Sequence, residues 1–517
     1  MNAPGQDHVE IELKLALGDI DARRIARLPL IRACATGRTS TRTMHSVYYD
    51  TPDRVLQRAQ TALRLRREGS RWVQTLKFGG SAEGGLHRRH EIETRLAMPL
   101  IDQQALAHPA LAPLFNDAAV RAALAPVFIA DFRRSTRLLS PAPGTTIELC
   151  VDIGEIQAGE RREPIREIEL ELKLGSASVL LEFADALVQQ IPVRLEPASK
   201  AERGFALALG EEPTPVRAQT PRLDRATDLE VAFRAIVFSC VQQLQANEYG
   251  VIAGTDAEYL HQARVALRRL RSAMAMFDTV FPRASYTATL DELRWLDRCL
   301  GPARDWDVFV LSTLPQLLHA FSDDPSLQRL ARHADALREE AGRIARDALV
   351  SARYTRLLLG LNGLFLRRPW GEPIDAQAQA ARATTLLPFA ERTLERRHRK
   401  VIKRGRGHAQ LDHAGLHALR IEGKKLRYAA EFVGGLFERK AVRAYLGALT
   451  RLQELLGGLN DAATVDRLCH ALRAACAQEP AGEAIGMLRG WAAALAEDHL
   501  SSLPKAWKRF RDTERFW

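Results

Sequence analysis

The chain has 517 residues, 46% of them hydrophobic and 26% charged, which is enough for two to four globular domains, each with its own core. No run of 18 apolar residues occurs, and the opening MNAPGQDHVEIE has no basic stretch ahead of an apolar one, so membrane insertion and secretion are not expected. Six cysteines without metal-ligand or redox spacing fit reduced thiols in the cytoplasm.

The net charge of +11 is unevenly placed: residues 1–210 hold 28 Lys and Arg against 26 Asp and Glu, and residues 211–517 hold 46 against 37. The basic excess therefore sits in the second part, where it favours a polyanionic partner. Charge alone leaves nucleic acid, polyphosphate and acidic lipid open.

The first predicted element is the strand VEIELKL. Strict alternation puts Glu10, Glu12 and Lys14 on one face and Ile11, Leu13 and Leu15 on the other. Asp19 is placed to cap a helix over about 20–35. HSVYYDTPD then leads into a turn, and ALRLRREG with RWVQTLKFGG reads as a hairpin whose one face carries Arg64 and Arg66, with Lys77 on the second strand. The loop GGSAEGGL has glycines too irregular for a phosphate-binding fingerprint. RRHEIETRL returns as a strand with Arg89, Glu91 and Glu93 on one face, a helical stretch is expected over 101–115, and FIADFRRSTRLL brings Arg133, Arg134 and Arg137. TIELCVDIGEI places Glu148 and Asp152 together.

The next strand, IREIELELKL, alternates Glu167, Glu169 and Glu171 with Ile168, Leu170 and Leu172. Three carboxylates about 7 Å apart along one face repel unless a cation sits in front of them, and a divalent metal is the natural candidate. Ser176 caps a helix, and SKAERGF supplies Lys200 and Arg203. Such strands can also be surface strands with solvated outer faces. Roughly eight strands with ionisable residues on one face and apolar residues on the other fit a closed antiparallel barrel better, with a charged lumen and an apolar exterior covered by helices.

EEPTPVRAQTPR, with Pro213, Pro215 and Pro221, reads as an extended linker over 211–222. Beyond it the strand pattern stops and apolar residues recur every three to four positions, so 223–517 is expected to be all helical. An internal repeat lies at an offset of 156 residues: HQARVALRRLRS from His261 matches HALRIEGKKLRY from His417, and CLGPARD matches LLGGLND at the same offset. His261, Arg264, Arg268 and Arg271 form one helical stripe, and His417, Arg420, Lys424 and Arg427 form its copy. Like charges adjacent on a helix repel, so a stripe that occurs twice points to a counter-charge, although a solvated face is the commoner reason for a single basic helix. A further basic run, RRHRKVIKRGRGH, includes Lys400 and Lys403. It has few aromatics nearby and no groove-reading motif, which argues against sequence-specific nucleic acid recognition.

Residues 8–208 resemble the CYTH superfamily through ExExK at Glu10, Glu12 and Lys14, followed in order by YYDT, LRLR, TLK, ELEL and SKAERG. LRLR, GGLHRR and SKAERGF are most similar to its inorganic triphosphatase branch. Residues 222–512 resemble the CHAD domain through the two HxxR[VI]xx[RK][RK]LR motifs and their LG…D partners. The resemblance implies an α+β closed antiparallel eight-stranded tunnel barrel over 1–210, followed by an all-α domain of two pseudo-symmetric four-helix bundles. It implies a cytoplasmic inorganic triphosphatase, a phosphoanhydride hydrolase that uses Mg²⁺ or Mn²⁺, and binding of inorganic polyphosphate by the helical domain, with association with polyphosphate granules. Carried over residue by residue, Glu169 and Glu171 look like metal ligands supported by Glu10, Glu12 and Asp152. Lys14, Arg64, Arg66, Arg134, Lys200 and Arg203 would grip phosphoryl oxygens, and Lys77, with Glu10 and Glu12, would serve catalysis. His261, Arg264, Arg268, Arg271, Lys400, Lys403, His417, Arg420, Lys424 and Arg427 would hold polyphosphate. The alternative readings are a non-catalytic polyphosphate-binding or granule-targeting protein, and an enzyme that acts on thiamine triphosphate or a nucleoside triphosphate or cyclises ATP.

Overall fold

The structure is a computed structural model that describes residues 8–18, 22–371, 376–476 and 481–517. The chain separates into two compact units, one running up to Pro213 together with Val350–Arg367, the other comprising Thr214–Leu349 and Arg368–Trp517.

The first unit is built on β1 (His8–Leu17), β2 (Ser40–Asp50), β3 (Ala62–Glu68), β4 (Arg71–Glu83), β5 (Leu86–Leu96), β6 (Ala125–Leu139), β7 (Thr146–Ala158), β8 (Arg161–Leu174) and the short β9 (Val193–Leu195). Eight of them form an antiparallel ring in the order β5-β4-β3-β2-β6-β7-β8-β1, closed by β1 pairing back onto β5, while β9 adds to the far end of β1. This is the closed eight-stranded barrel that the alternating strands predict. Closure removes the unpaired edges of an open sheet and lets strands with one charged and one apolar face bury both. On β1, Glu10, Glu12 and Lys14 are buried on one side, and Leu13 and Leu15 on the other.

The outer faces are covered locally. Leu63, Leu76, Phe78 and Ile92 pack with Leu106, Leu111 and Phe115. Their segment, expected to be one helix over 101–115, is instead two 3₁₀ turns and a single α-helical turn, because Pro109 and Pro113 withhold backbone donors. Likewise the helix expected over 20–35 is split into Ala22–Ile25 and Pro29–Cys34, since Leu28, which precedes a proline, is held extended at φ −57 and ψ 138. Asp19 lies outside the described residues.

The helices Ala177–Val188 and Ala352–Arg367 also belong to this unit. The second of them falls inside the stretch read from sequence as the helical half. It is tied to the barrel unit by Thr355 Oγ1 donating to the Val193 carbonyl at 3.0 Å, Arg356 to Asp185 at 2.8 Å and Asn362 to the Gly84 carbonyl at 3.1 Å.

The second unit contains two successions of four long helices: Leu229–Ala253, Ala257–Phe277, Thr287–Val308 and Pro325–Val350, then Leu386–Gly405, His413–Val433, Arg439–Ala475 and Gly482–Asp512. The two basic stripes lie on the second helix of each succession. Those helices start 156 residues apart and are N-capped by Asp256 and Asp412, whose side chains accept from the amides of Glu258 and Gly415. Part of the proline-rich segment is anchored here: Asn247 accepts from the Val216 amide at 3.0 Å and donates to its carbonyl at 2.9 Å. Among the described residues no helix is long and apolar enough to cross a membrane.

Candidate functional site

The interior-facing positions of the ring enclose a cavity of about 210 Å³. Its described lining holds eight Lys or Arg (Lys14, Arg64, Arg66, Lys77, Arg89, Arg134, Lys173 and Lys200) against seven glutamates (Glu10, Glu12, Glu91, Glu93, Glu148, Glu169 and Glu171). Strand parity and register bring them together: Glu12 sits opposite Glu171 and Lys14 opposite Glu169 across β1 and β8, Glu10 opposite Arg89 across β1 and β5, and Arg134 opposite Asp152 across β6 and β7. Segments more than 150 residues apart in sequence thus share one lumen.

SKAERGF contributes the helix Lys200–Leu209. Ser199 caps it by accepting from the Glu202 amide at 3.2 Å, while Glu202 accepts from the Ser199 amide at 2.7 Å. This reciprocal cap fixes Lys200 as the first helical residue, where it projects into the cavity. Ala201 and Phe205 of the same helix pack with Tyr48, Phe128 and Phe132. Gly204 is needed for that approach, because a Cβ there would lie 2.1 Å from the Phe128 ring.

Every predicted tunnel cation is met by carboxylates. Lys200 Nζ lies 2.7 Å from Asp152 and 2.9 Å from Glu169 and also bonds Glu167. Arg134 is bidentate to Asp152 at 2.8 and 2.6 Å and bonds Glu169 as well. Lys14 reaches Glu169 at 2.6 Å and Glu12 at 2.9 Å, and Lys77 bonds Glu10 and lies 3.3 Å from Glu91. Arg66 pairs with Glu68 at 2.6 Å and Glu93 at 3.2 Å, and Arg64 with Glu91 at 3.7 Å.

Burial opposes charge on all of these groups, yet the pairing outweighs it in most. The neighbouring Glu12, Glu169 and Glu167 hold the Lys14 ammonium well above its ordinary range, and Glu10 and Glu91 do the same for Lys77. Lys14 and Lys77 pull Glu12 down to about 2. Glu171 goes the other way: burial and the negative charge of Glu10 outweigh Lys173, 2.5 Å away, and push it up to about 7. Glu10 is likewise raised, by burial and by Glu12 and Glu91, against the pull of Lys77. Glu10 and Glu171 thus each keep one lysine partner, Lys77 and Lys173, which burial and the neighbouring carboxylates outweigh.

Two predicted residues stand behind the wall. Asp152 is fully buried and engaged by Arg134 and Lys200. Arg203 is taken up by Glu163 at 2.6 Å, Glu167 at 3.2 Å and the Pro164 carbonyl at 2.6 Å, and neither residue is among those that line the cavity. Sequence reasoning did not assign Glu91, Glu93, Glu148, Thr75, Lys173 or Tyr48 to the site, although all line it. Parity was the available signal. Thr75, Glu148 and Lys173 lie an even number of positions from an assigned residue of their own strand, Glu91 and Glu93 share a face with Arg89, and Tyr48 faces Arg64 across β2 and β3. Glu167 was missed as the buried anchor of Lys200 and Arg203.

In the second unit the stripes converge. Lys424 is surrounded by Arg268 of the first stripe and by Arg420 and Arg427 of its own, with Asp461 as the counter-charge, and burial together with the three arginines pushes it down to about 6. His261 is pushed down to about 4 by burial and the adjacent Arg304, while His417 Nδ1 lies 3.0 Å from the Asn460 side-chain oxygen. Arg264 and Arg271 reach Asp297 at 3.2 and 2.7 Å. Lys400 and Lys403 are exposed on the helix Leu386–Gly405 and take no part in these contacts.

Comparison with known proteins agrees with both halves. The CYTH domain family matches residues 8–205 and the CHAD domain family residues 235–470. An inorganic triphosphatase of Haemophilus influenzae is 36% identical over 163 residues, which are 31% of this chain and 45% of that protein, so the chain spans less than half of that relative. An uncharacterised protein of Mycobacterium tuberculosis is 27% identical over 91% of this chain and 92% of its own length. The crystal structure of the CHAD domain from Ricinus communis, 36% identical, covers 59% of this chain and 99% of its own at a TM-score of 0.52.

Proposed function

Since the chain belongs to the CHAD family through residues 235–470 and carries a CYTH domain over residues 8–205, we propose that its barrel hydrolyses inorganic triphosphate with a divalent metal and that its helical half binds inorganic polyphosphate. The observation that carries this reading is the enclosed lumen with eight cations and seven carboxylates. Pockets for drug-sized ligands are typically ~300–1,000 Å³ and mostly apolar. A cavity of about 210 Å³ walled by charge, with Tyr48 as the one aromatic among its described lining residues, suits a compact polyanion better than a nucleoside.

The donor set suits a hard divalent cation, which takes carboxylate oxygens together with substrate oxygens and water. Asp152, Glu167 and Glu169 bring oxygens within 4.8 Å of one another. Lys200 Nζ already occupies the space among them, so a dication placed there would be repelled. Glu10 and Glu171, which face the cavity and each hold one lysine where the buried trio shares Lys200 with Arg134, are the better ligands, with Glu12 and Glu169 beside them. Bound there, Mg²⁺ or Mn²⁺ would neutralise charge on the reacting phosphate.

The chain's own residues do the rest. Lys14, Arg64, Arg66, Arg134 and Lys200 donate to phosphoryl oxygens, held in place by the carboxylates behind them, Asp152 and Glu167 among these. Arg203 acts through Glu167 as a positioning residue. Lys77, kept protonated by Glu10 and Glu91, serves as a hydrogen-bond donor and not as a base. The lumen's near balance of charge means that a bare triphosphate, with about four negative charges at neutral pH, would overload it, whereas the metal complex restores the balance. Phosphate release from tripolyphosphate by the purified chain tests this reading. Metal-dependent release should exceed that from ATP or thiamine triphosphate and should vanish in the Glu169→Ala, Glu171→Ala double variant; no release, or release untouched by that variant, overturns it.

A further inference from the structure

The two copies of the duplicated helical unit hold their cations differently, and one of the positions at which they differ is the carboxylate that holds the first stripe. In the first copy Asp297 accepts from Arg264, at 3.2 Å through its side chain and 3.3 Å through its carbonyl, and pairs with Arg271 at 2.7 Å. A single carboxylate thus ties down two of the three arginines of that stripe. The residue 156 positions later, on Arg439–Ala475, is Gln453. It is buried against Gly423, where an added Cβ would lie 3.4 Å from its Nε2, and Gly423 sits midway between Arg420 and Arg427 on the second basic helix. Neither amide atom of Gln453 has a hydrogen-bond partner, and the Nε atoms of Arg420 and Arg268, like that of Arg264 in the first copy, have none.

The charge accounting follows from this exchange of Asp for Gln. Among the described residues, Arg268, Arg420 and Lys424 enter no ion pair, and Arg427 has only Glu431, 3.2 Å away, which it shares with Arg269. Asp461 faces both Arg420 and Lys424, and Asp305, its equivalent in the first copy, also faces Arg420 while it pairs with Arg467 at 2.5 Å.

We propose that this divergence directs where a polyanion docks: Asp297 holds Arg264 and Arg271 of the first stripe, and Gln453 leaves Arg420 and Lys424, joined by Arg268 and flanked by Arg427 on Glu431, open to a chain of condensed phosphate. The proposal rests on the polyphosphate reading above and assigns it to one copy. A neutral amide suits the role, because it lacks the negative charge with which a carboxylate at that position would pair the arginines and repel phosphoryl oxygens. A free cation cluster of this kind, with self-repulsion built in, gains on binding both direct contacts and relief of that repulsion.

The test is binding of long-chain inorganic polyphosphate to the full chain in the presence of chelator, by titration calorimetry across a range of salt concentrations. Gln453→Glu is nearly isosteric and should give the second stripe the counter-charge of the first, weakening binding by about tenfold and flattening the salt slope by roughly one unit per cation neutralised. Asp297→Asn should release Arg264 and Arg271, tightening binding several-fold and steepening the slope. Arg420→Gln should weaken binding far more than Arg264→Gln. Equal effects of the two arginine variants, or affinity and slope unchanged in both isosteric variants, overturn the assignment while wild-type binding keeps the polyphosphate reading. A wild-type chain that binds no polyphosphate overturns that reading itself. Thermal melting of each variant identifies any that does not fold, in which case the remaining pair decides.

Discussion

The barrel lumen and the helical cluster both gather arginines and lysines against burial, but they balance charge in opposite ways. In the lumen each predicted cation has a carboxylate within ion-pair distance, and Lys200 alone touches Asp152, Glu167 and Glu169. In the cluster Lys424 faces three arginines and one aspartate. The lumen is therefore self-compensated, whereas the cluster holds more positive than negative charge. The same residue type is stabilised in one place and strained in the other, so removing it should have opposite consequences.

Lys200→Met provides the largest expected effect. Lys200 is 5% exposed, and its loss leaves Asp152, Glu167 and Glu169 short of a partner, which for buried pairs costs about 3–5 kcal/mol. Denaturant unfolding should show that loss, and triphosphate turnover should fall by about 10²–10³, the cost of removing one donor from a charge-stabilising site. A variant as stable and active as the parent would break the contrast. Glu171 gives a smaller effect with a defined pH window. Its native pKa of about 7 stands above the ordinary glutamate value of 4.5, so between these pH values the native state binds the extra proton. Stability of the metal-free chain must then fall as pH rises from about 4.5 to 7, by roughly 1–3 kcal/mol at about 1.4 kcal/mol per pKa unit. Melting curves across that range should show the slope in chelator, and both Glu171→Gln and saturating Mg²⁺ should remove it.

The opposite sign belongs to Lys424→Met. Because Lys424 is driven from 10.5 to about 6, the unfolded chain holds its proton more tightly than the native one between those values, and the residue destabilises the fold most below about pH 6. Its replacement by an apolar side chain of similar length should raise stability by on the order of 1 kcal/mol, with the larger gain on the acid side. A loss of stability would place a counter-ion at Lys424 and remove the contrast with Lys200.

The ring of strands was legible because alternation is a strong signal and eight alternating stretches admit few arrangements. The repeat was legible because His261 and His417 begin motifs that align without a gap. Partner choice was not: nothing in SKAERGF says that Lys200 bonds three carboxylates while Arg203, three residues on and on the same helix, turns to Glu163 and Pro164 behind the wall. The Asp297 and Gln453 exchange was present in the aligned repeat but carried no meaning until the structure set those positions against the stripes. Likewise Ala352–Arg367 reads as one more amphipathic helix, and only its polar contacts, such as Asn362 to Gly84, reveal that it covers the barrel.

The finest distinction between the two regions is in protons. At pH 7.5 the Lys424 ammonium is largely deprotonated in the free chain, since burial and the positive fields of Arg268, Arg420 and Arg427 outweigh Asp461 and leave it at about 6. A phosphate chain laid along the stripe reverses the sign of the local field and raises that value, so binding takes up as much as one proton per site. Affinity should accordingly strengthen as pH falls from about 8 toward 6 and level off below. Calorimetry of polyphosphate binding in two buffers of different ionisation enthalpy would read the uptake directly, and Lys424→Met should abolish it. Lumen cations, already protonated by their carboxylate partners, have no such proton to gain: the corresponding measurement with triphosphate should show no uptake from Lys14, Lys77 or Lys200. Equal proton uptake with and without Lys424 would mean that the two sites compensate charge in the same way after all.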